Sequence, residues 1–116
     1  MSLWDTFQII INHPKMFDFL FSNTKIKEAL RNGAVVIDVR TAGEFDQGKV
    51  QYSINIPVDR ITINAARIKA MKRPIIFCCS SGTRSGTATR IMKEKGLKEV
   101  YNGGSWERVL KLTNNL

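Results

Sequence analysis

The sequence predicts an α/β protein, a three-layer α/β/α sandwich around a mostly parallel central sheet. Three observations carry this. Short apolar stretches of strand length alternate with stretches of helical spacing along the chain, the order that builds parallel sheets. The run from Ala34 to Val39 is almost continuously apolar, as a strand covered on both faces must be. Pro74-Ile75-Ile76-Phe77-Cys78-Cys79 reads as a buried strand, since a proline opens it, β-branched and aromatic residues fill it and it carries no charge. Small or hydroxyl-bearing residues follow at once, interrupted only by Arg84, and helical spacing resumes at Ala88, Ile91 and Met92. That is a strand, a tight loop and a helix.

Taken in order, Ser2-Leu3-Trp4-Asp5 forms a capping box, and Leu3, Phe7, Ile10 and Ile11 predict a first helix over residues 3–11. His13-Pro14 ends it. Met16, Phe17, Phe19, Leu20 and Phe21 make an apolar patch expected to dock on the body of the domain. Asn23-Thr24 is expected to cap a second helix with Ile26, Ala29 and Leu30 inward and Gly33 at its C-terminal turn. Residues 1–22 therefore read as a helical extension packed on a domain formed by residues 23–116.

The strand after Gly33 emerges at Asp38 and Arg40. Thr41-Ala42-Gly43-Glu44 is a second capping box, opening a short helix with Phe45 inward and Gly48 closing it. Arg40 and Glu44 are placed to pair across this turn. Ser53 to Pro57 alternates and stops at proline, which predicts a short strand. Ile61, Ala65 and Ile68 give a helix that ends before Pro74. Beyond the cysteine strand and its helix, which ends at Gly96, Val100-Tyr101 is a small strand. Gly103-Gly104-Ser105 opens a last helix carrying Trp106, Val109 and Leu110 on one face.

A chain of 116 residues is one domain, long enough to bury a real core without staples. Its two cysteines are adjacent, so a disulfide between them would be strained, and a reducing compartment, the cytoplasm, is the expectation. The net charge is +8, from 18 basic against 10 acidic residues. The cations are dispersed, without an arginine-rich run or an interleaved aromatic platform, so a small anion is the expected partner and nucleic acid is not. No apolar run approaches the ~20 residues of a membrane span, and the N-terminus has no basic region or Ala-x-Ala site. Neither metal nor cofactor is called for, and a monomer is the default.

A loop between strand and helix aims backbone N–H groups and the positive end of a helix dipole at one point, which favours an anion there. Cys79 sits at its lip, and a thiol so placed should ionise more readily than a free one (~8.5). Asp38 and Arg40 lie at the same carboxyl end of the sheet, where open α/β folds place their crevice. Cys78 alternates to the opposite face and reads as a core residue. The lone histidine, His13, has no partner pattern around it.

Several separated blocks resemble one family. Val36-Ile37-Asp38-Val39-Arg40-Thr41-Ala42-Gly43-Glu44-Phe45, Ile54-Asn55-Ile56-Pro57, Cys79-Ser80-Ser81-Gly82-Thr83-Arg84-Ser85 and Val100-Tyr101-Asn102-Gly103-Gly104 are similar to a single-domain rhodanese, over about residues 24–110. The resemblance implies a thiosulfate sulfurtransferase. In that family the loop cysteine takes a sulfane sulfur from a small anionic donor such as thiosulfate, becomes a persulfide, and passes the sulfur to cyanide, a thiol or a protein acceptor, and by resemblance Cys79 is that cysteine. By the same resemblance Ser80, Ser81, Gly82, Thr83, Arg84 and Ser85 form the sulfur-binding loop, and from their place at the strand end Asp38 and Arg40 are expected to support it. Ser80 stands where the family often has a second arginine, and Gly48-Lys49-Val50 where it often has Gly-His-Ile. The first 22 residues lie outside the pattern.

Two other readings stay open. Counted from Cys78, Arg84 closes a Cys-x5-Arg loop followed by Ser85, the pattern of cysteine phosphatases and arsenate reductases, although Phe77 replaces their usual histidine. The fold is also compatible with a catalytically silent binding module.

Overall fold

The computed structural model describes residues 1–13 and 20–116. In chain order the elements are α1 (Leu3–Ile11), α2 (Pro14–Arg31), β1 (Val35–Asp38), α3 (Ala42–Gln47), β2 (Ile54–Asn55), α4 (Ala65–Ala70), β3 (Ile75–Cys79), α5 (Thr83–Glu94), β4 (Val100–Ser105) and α6 (Trp106–Asn114). Two 3-10 turns, Val58–Arg60 and Thr62–Asn64, lead into α4. The four strands are all parallel in the order β2-β1-β3-β4, with helices on both faces. The expected α/β/α sandwich is the observed architecture.

The pleat of β3 divides the core. Ile75, Phe77 and Cys79 face one layer, where Ile61, Ile68, Ala88 and Met92 from the α4 and α5 side pack on them. Ile76 and Cys78 face the other, against Ile26 and Ala29 of α2 and Val109 and Leu112 of α6. Because β3 is interior and covered on both sides, all five of its residues are buried.

β4 runs further than expected. Gly103 and Gly104 belong to the strand, and Ser105 caps α6 by accepting the Arg108 N–H at 3.1 Å. A Cβ on Gly103 would lie 2.7 Å from Val109 Cγ2 and 2.8 Å from Ile76 Cγ2, so only glycine lets α6 approach the sheet here. Gly104 has φ +77, and the pairing of β3 with β4 shifts register between Phe77 and Cys79.

Both capping boxes form: Ser2 with Asp5 opens α1, and Thr41 with Glu44 opens α3. The expected cap at Asn23-Thr24 does not, because α2 continues through it. Thr24 Oγ1 donates instead to the Leu20 carbonyl at 3.0 Å. Asn23 Oδ1 accepts from Arg108 Nε at 2.9 Å and Nη2 at 2.6 Å, so a tertiary partner on α6 takes the side chain that a cap would use. In the expected apolar patch, Leu20 and Phe21 are 43% and 54% exposed, with Lys25 Nζ 5.3 Å from the Phe21 ring centroid. Met16, Phe17 and Phe19 lie outside the described residues. Leu3, Trp4 and Phe7 of α1 are exposed. Among the described residues, no helix is long and apolar enough to cross a membrane.

Candidate active site

β3 delivers Cys79 to the carboxyl edge of the sheet, and only three residues separate it from α5. The turn depends on Gly82, whose φ of +100 is cheap for glycine alone and whose position leaves only 3.4 Å between a Cβ and Gly104 Cα. With that reversal the Gly82 N–H donates to Cys79 Sγ at 3.0 Å. The Ser85 N–H reaches it at 3.5 Å from the first turn of α5, and Ser85 Oγ lies 3.3 Å away. The sulfur thus sits at the positive end of a 12-residue helix, enclosed by donors.

Cys79 is only 1% exposed. Burial by itself pushes the thiol up, but the Ser85 hydroxyl and the amides of Ser85, Gly82 and Ser81 outweigh it and hold the thiol below its ordinary value. Cys78, 0% exposed and facing the α2 and α6 layer, is the converse. Burial drives its thiol far above the usual range, and the Asp38 charge adds to the effect. A ring of donors centred on Cys78, which the phosphatase register requires, is not present among the described residues; the loop amides converge on Cys79.

The loop cation is engaged. Arg84 Nη1 and Nη2 lie 2.7 and 3.0 Å from the two carboxylate oxygens of Glu44, a bidentate pair. Ser80 Oγ completes the triangle, donating to Glu44 Oε2 at 3.1 Å and accepting from Arg84 Nη2 at 3.0 Å. Glu44 also accepts the Thr41 amide at 3.1 Å, so one side chain both caps α3 and anchors Arg84. The Arg84 guanidinium, followed by the Thr41 amide, holds the Glu44 carboxyl well below the usual carboxylate range. The Ser81 and Thr83 hydroxyls lie 3.4 Å apart on the exposed rim.

Arg40 does not pair with the Glu44 carboxylate, contrary to the sequence expectation. Its Nε is 3.0 Å from both oxygens of Asp38 and its Nη2 is 2.7 Å from Oδ2, with both residues buried. The remaining donors go to backbone carbonyls, Nη1 to Glu44 at 3.2 Å and Nη2 to Gly48 at 2.6 Å. The guanidinium also stacks 4.9 Å from the Trp106 ring centroid. Asp38 additionally accepts the Arg40 N–H at 3.0 Å. The pair is a latch that fixes α3, and with it Glu44, against the end of β1. Asn55 Nδ2 ties the same corner to β2 through the carbonyls of Asp38 at 3.0 Å and Arg40 at 2.9 Å.

Two residues of this cluster had no such role in the sequence reading. Glu44 was visible as a cap, but its bond to Arg84 spans 40 positions. Asn102 accepts the Ser85 hydroxyl on Oδ1 at 2.7 Å and the Gly104 amide at 3.0 Å, and its Nδ2 donates to the Gly82 carbonyl at 3.1 Å. Its only sequence signal is a polar residue ahead of Gly103-Gly104 on a strand next to the cysteine strand. Among the described residues, no three His, Cys, Asp or Glu side chains gather as metal ligands. What the arrangement offers chemically is a nucleophilic sulfur in an amide-lined, anion-favouring nest.

The family described as Rhodanese-like domain matches this chain over residues 22–110. The Bacillus subtilis protein YqhL is 33% identical over 82 residues, covering 68% of this chain and 64% of YqhL. Thiosulfate sulfurtransferase PspE of Escherichia coli is 35% identical over 69 residues, covering 59% of this chain and 66% of PspE. The chain thus spans just under two thirds of the length of these two relatives. Among solved structures, a rhodanese with anions from E. coli superposes with a TM-score of 0.61 and 31% identity, covering 66% of this chain and 91% of that one.

Proposed function

The chain belongs to the rhodanese-like domain family of sulfurtransferases, and from that premise we propose that it moves a sulfane sulfur from a donor such as thiosulfate, through a persulfide on Cys79, to cyanide or a thiol acceptor. The observation that carries this reading is the convergence of the Gly82 and Ser85 N–H groups on Cys79 Sγ, while Cys78 is buried in the opposite layer.

The Cys79 thiolate attacks the outer sulfur of thiosulfate, whose S–S bond breaks, and sulfite departs with the electron pair. Sulfite leaves as an anion, so the step needs no general acid. The product Cys–S–S⁻ carries its charge on the terminal sulfur, one bond beyond the Sγ on which the Gly82 and Ser85 amides converge and in the field of the α5 N-terminus. Cyanide then takes that sulfur, thiocyanate forms, and the thiolate of Cys79 returns. A thiol acceptor follows the same course, with the terminal sulfur passing to the incoming thiolate. With Arg84 matched by Glu44, the nest binds charge mainly through its amides and helix end, so a dianionic donor such as thiosulfate is held weakly.

Thiocyanate formation from thiosulfate and cyanide tests the proposal. It is expected in the wild type and in Cys78→Ser, and lost in Cys79→Ser. Turnover of an aryl phosphate that depends on Cys78 would replace sulfur transfer with phosphoryl transfer.

A further inference from the structure

Asn102 lies outside the cysteine loop, on β4, yet touches it at two points. Its carboxamide has one possible orientation: Nδ2 donates to the Gly82 carbonyl at 3.1 Å, and Oδ1 accepts the Gly104 N–H at 3.0 Å. Oδ1 has no hydrogen to give, so the Ser85 hydroxyl, 2.7 Å away, is the donor in their bond. A hydroxyl carries one proton. While that proton points at Asn102, Ser85 turns a lone pair toward Cys79 Sγ at 3.3 Å and accepts from a protonated thiol. An ionised sulfur favours the opposite arrangement, a charge-assisted O–H···S⁻ bond, reached by rotating the hydroxyl alone.

We propose that Asn102 is a positioning residue for sulfur transfer, which competes with Cys79 for the single hydroxyl proton of Ser85 and thereby sets how readily the sulfur ionises. The inference rests on Cys79 being the nucleophile. In the neutral state the order of donation is Cys79 S–H to Ser85 Oγ, then Ser85 O–H to Asn102 Oδ1. On ionisation the thiol proton leaves to solvent, the Ser85 hydroxyl swings to the sulfur, and the Gly104 N–H keeps Oδ1 satisfied. The Gly82 and Ser85 amides donate to the sulfur in both states.

Charges on the elements around the sulfur remain in place through this exchange. Asp38 and Arg40 at the end of β1 are paired with each other, and Glu44 on α3 is paired with Arg84 on α5. Cys78 on β3 is held protonated by burial. Asp59 and Arg60 are exposed on the 3-10 turn against α5, and β4 contributes no charge between Val100 and Ser105.

The pH dependence of Cys79 alkylation by neutral iodoacetamide, read by peptide mass, tests the exchange. Ser85→Ala removes the donor to the thiolate and is expected to raise the midpoint by roughly 0.5–1 pH unit, the scale of one neutral hydrogen bond. Asn102→Leu removes the competitor and is expected to lower it by a similar amount. In the Ser85→Ala background, Asn102→Leu should then produce no further shift. A midpoint that rises or stays fixed in Asn102→Leu, or that still moves without the Ser85 hydroxyl, overturns the proposal. Should the leucine variant not fold, Asn102→Asp decides when made with and without the Ser85 hydroxyl: the midpoint must rise more in the presence of the hydroxyl than in Ser85→Ala, where the carboxylate acts through its charge alone, and an equal rise in both overturns the proposal. Alkylation needs no sulfur donor. Midpoints moving as expected in a protein that thiosulfate never loads would therefore sink the transfer reading and leave the linkage standing.

Discussion

Replacing Asp38 with asparagine preserves shape and removes one charge. Asp38 receives four contacts from Arg40: Nε to both oxygens and the backbone N–H, all at 3.0 Å, and Nη2 at 2.7 Å. Both side chains are almost fully enclosed, at 5% and 0% exposure, so Asp38→Asn leaves a guanidinium without its counterion in a site water does not reach. Breaking a buried pair from one side costs about 3–5 kcal/mol, a large share of the ~5–15 kcal/mol that holds a domain of this size together. The melting temperature should fall by roughly 10–20 °C. Circular-dichroism melts measure this, with persulfide formation followed well below the lowered midpoint. The variant is expected to load sulfur there, because Asp38 positions α3 and does not touch Cys79. A loss under 1 kcal/mol would refute the latch, and a variant that melts normally but cannot be loaded would make Asp38 part of the chemistry.

Glu44→Gln keeps the α3 capping box, since glutamine serves at that position, and leaves the Arg84 charge uncompensated beside the nest. The KM for thiosulfate is expected to fall several-fold with kcat little changed; an unchanged KM would mean that Arg84 does not act on the donor. The two cysteines should leave opposite marks on the pH dependence of stability. Cys78 has a raised folded pKa, so its contribution is complete below the unfolded thiol value of ~8.5 and is lost as pH climbs above it. Cys79 has a lowered one, so its contribution is present above that value and disappears as pH falls through its folded pKa. Urea titrations from pH 7.5 to 9.5 should show wild type losing stability above ~8.5 relative to Cys78→Ala; parallel curves would contradict the buried-thiol account.

The parts of this molecule legible in its sequence are those governed by local periodicity. Period-two alternation along β3 places Cys78 and Cys79 on opposite faces, and the boxes at Ser2 and Thr41 fix two helix starts. What escaped was decided by partners far along the chain. Asn23 has the chemistry of a cap, but Arg108 of α6 takes its oxygen and α2 runs on. Arg40 has acidic neighbours two positions before and four positions after, and local spacing favours the latter. The buried end of β1 selects Asp38 because a charge enclosed there must be paired at once. Glu44 and Arg84, like Ser85 and Asn102, meet only when strands distant in sequence become neighbours in the sheet.

Intact mass after incubation with thiosulfate probes the reactive nest most directly. Wild type and Cys78→Ser should each gain one sulfur atom and lose it on adding cyanide, while Cys79→Ser gains none. Sulfur retained by Cys79→Ser, or an unmodified wild type under both reducing and oxidising preparation, would contradict a persulfide carried on Cys79.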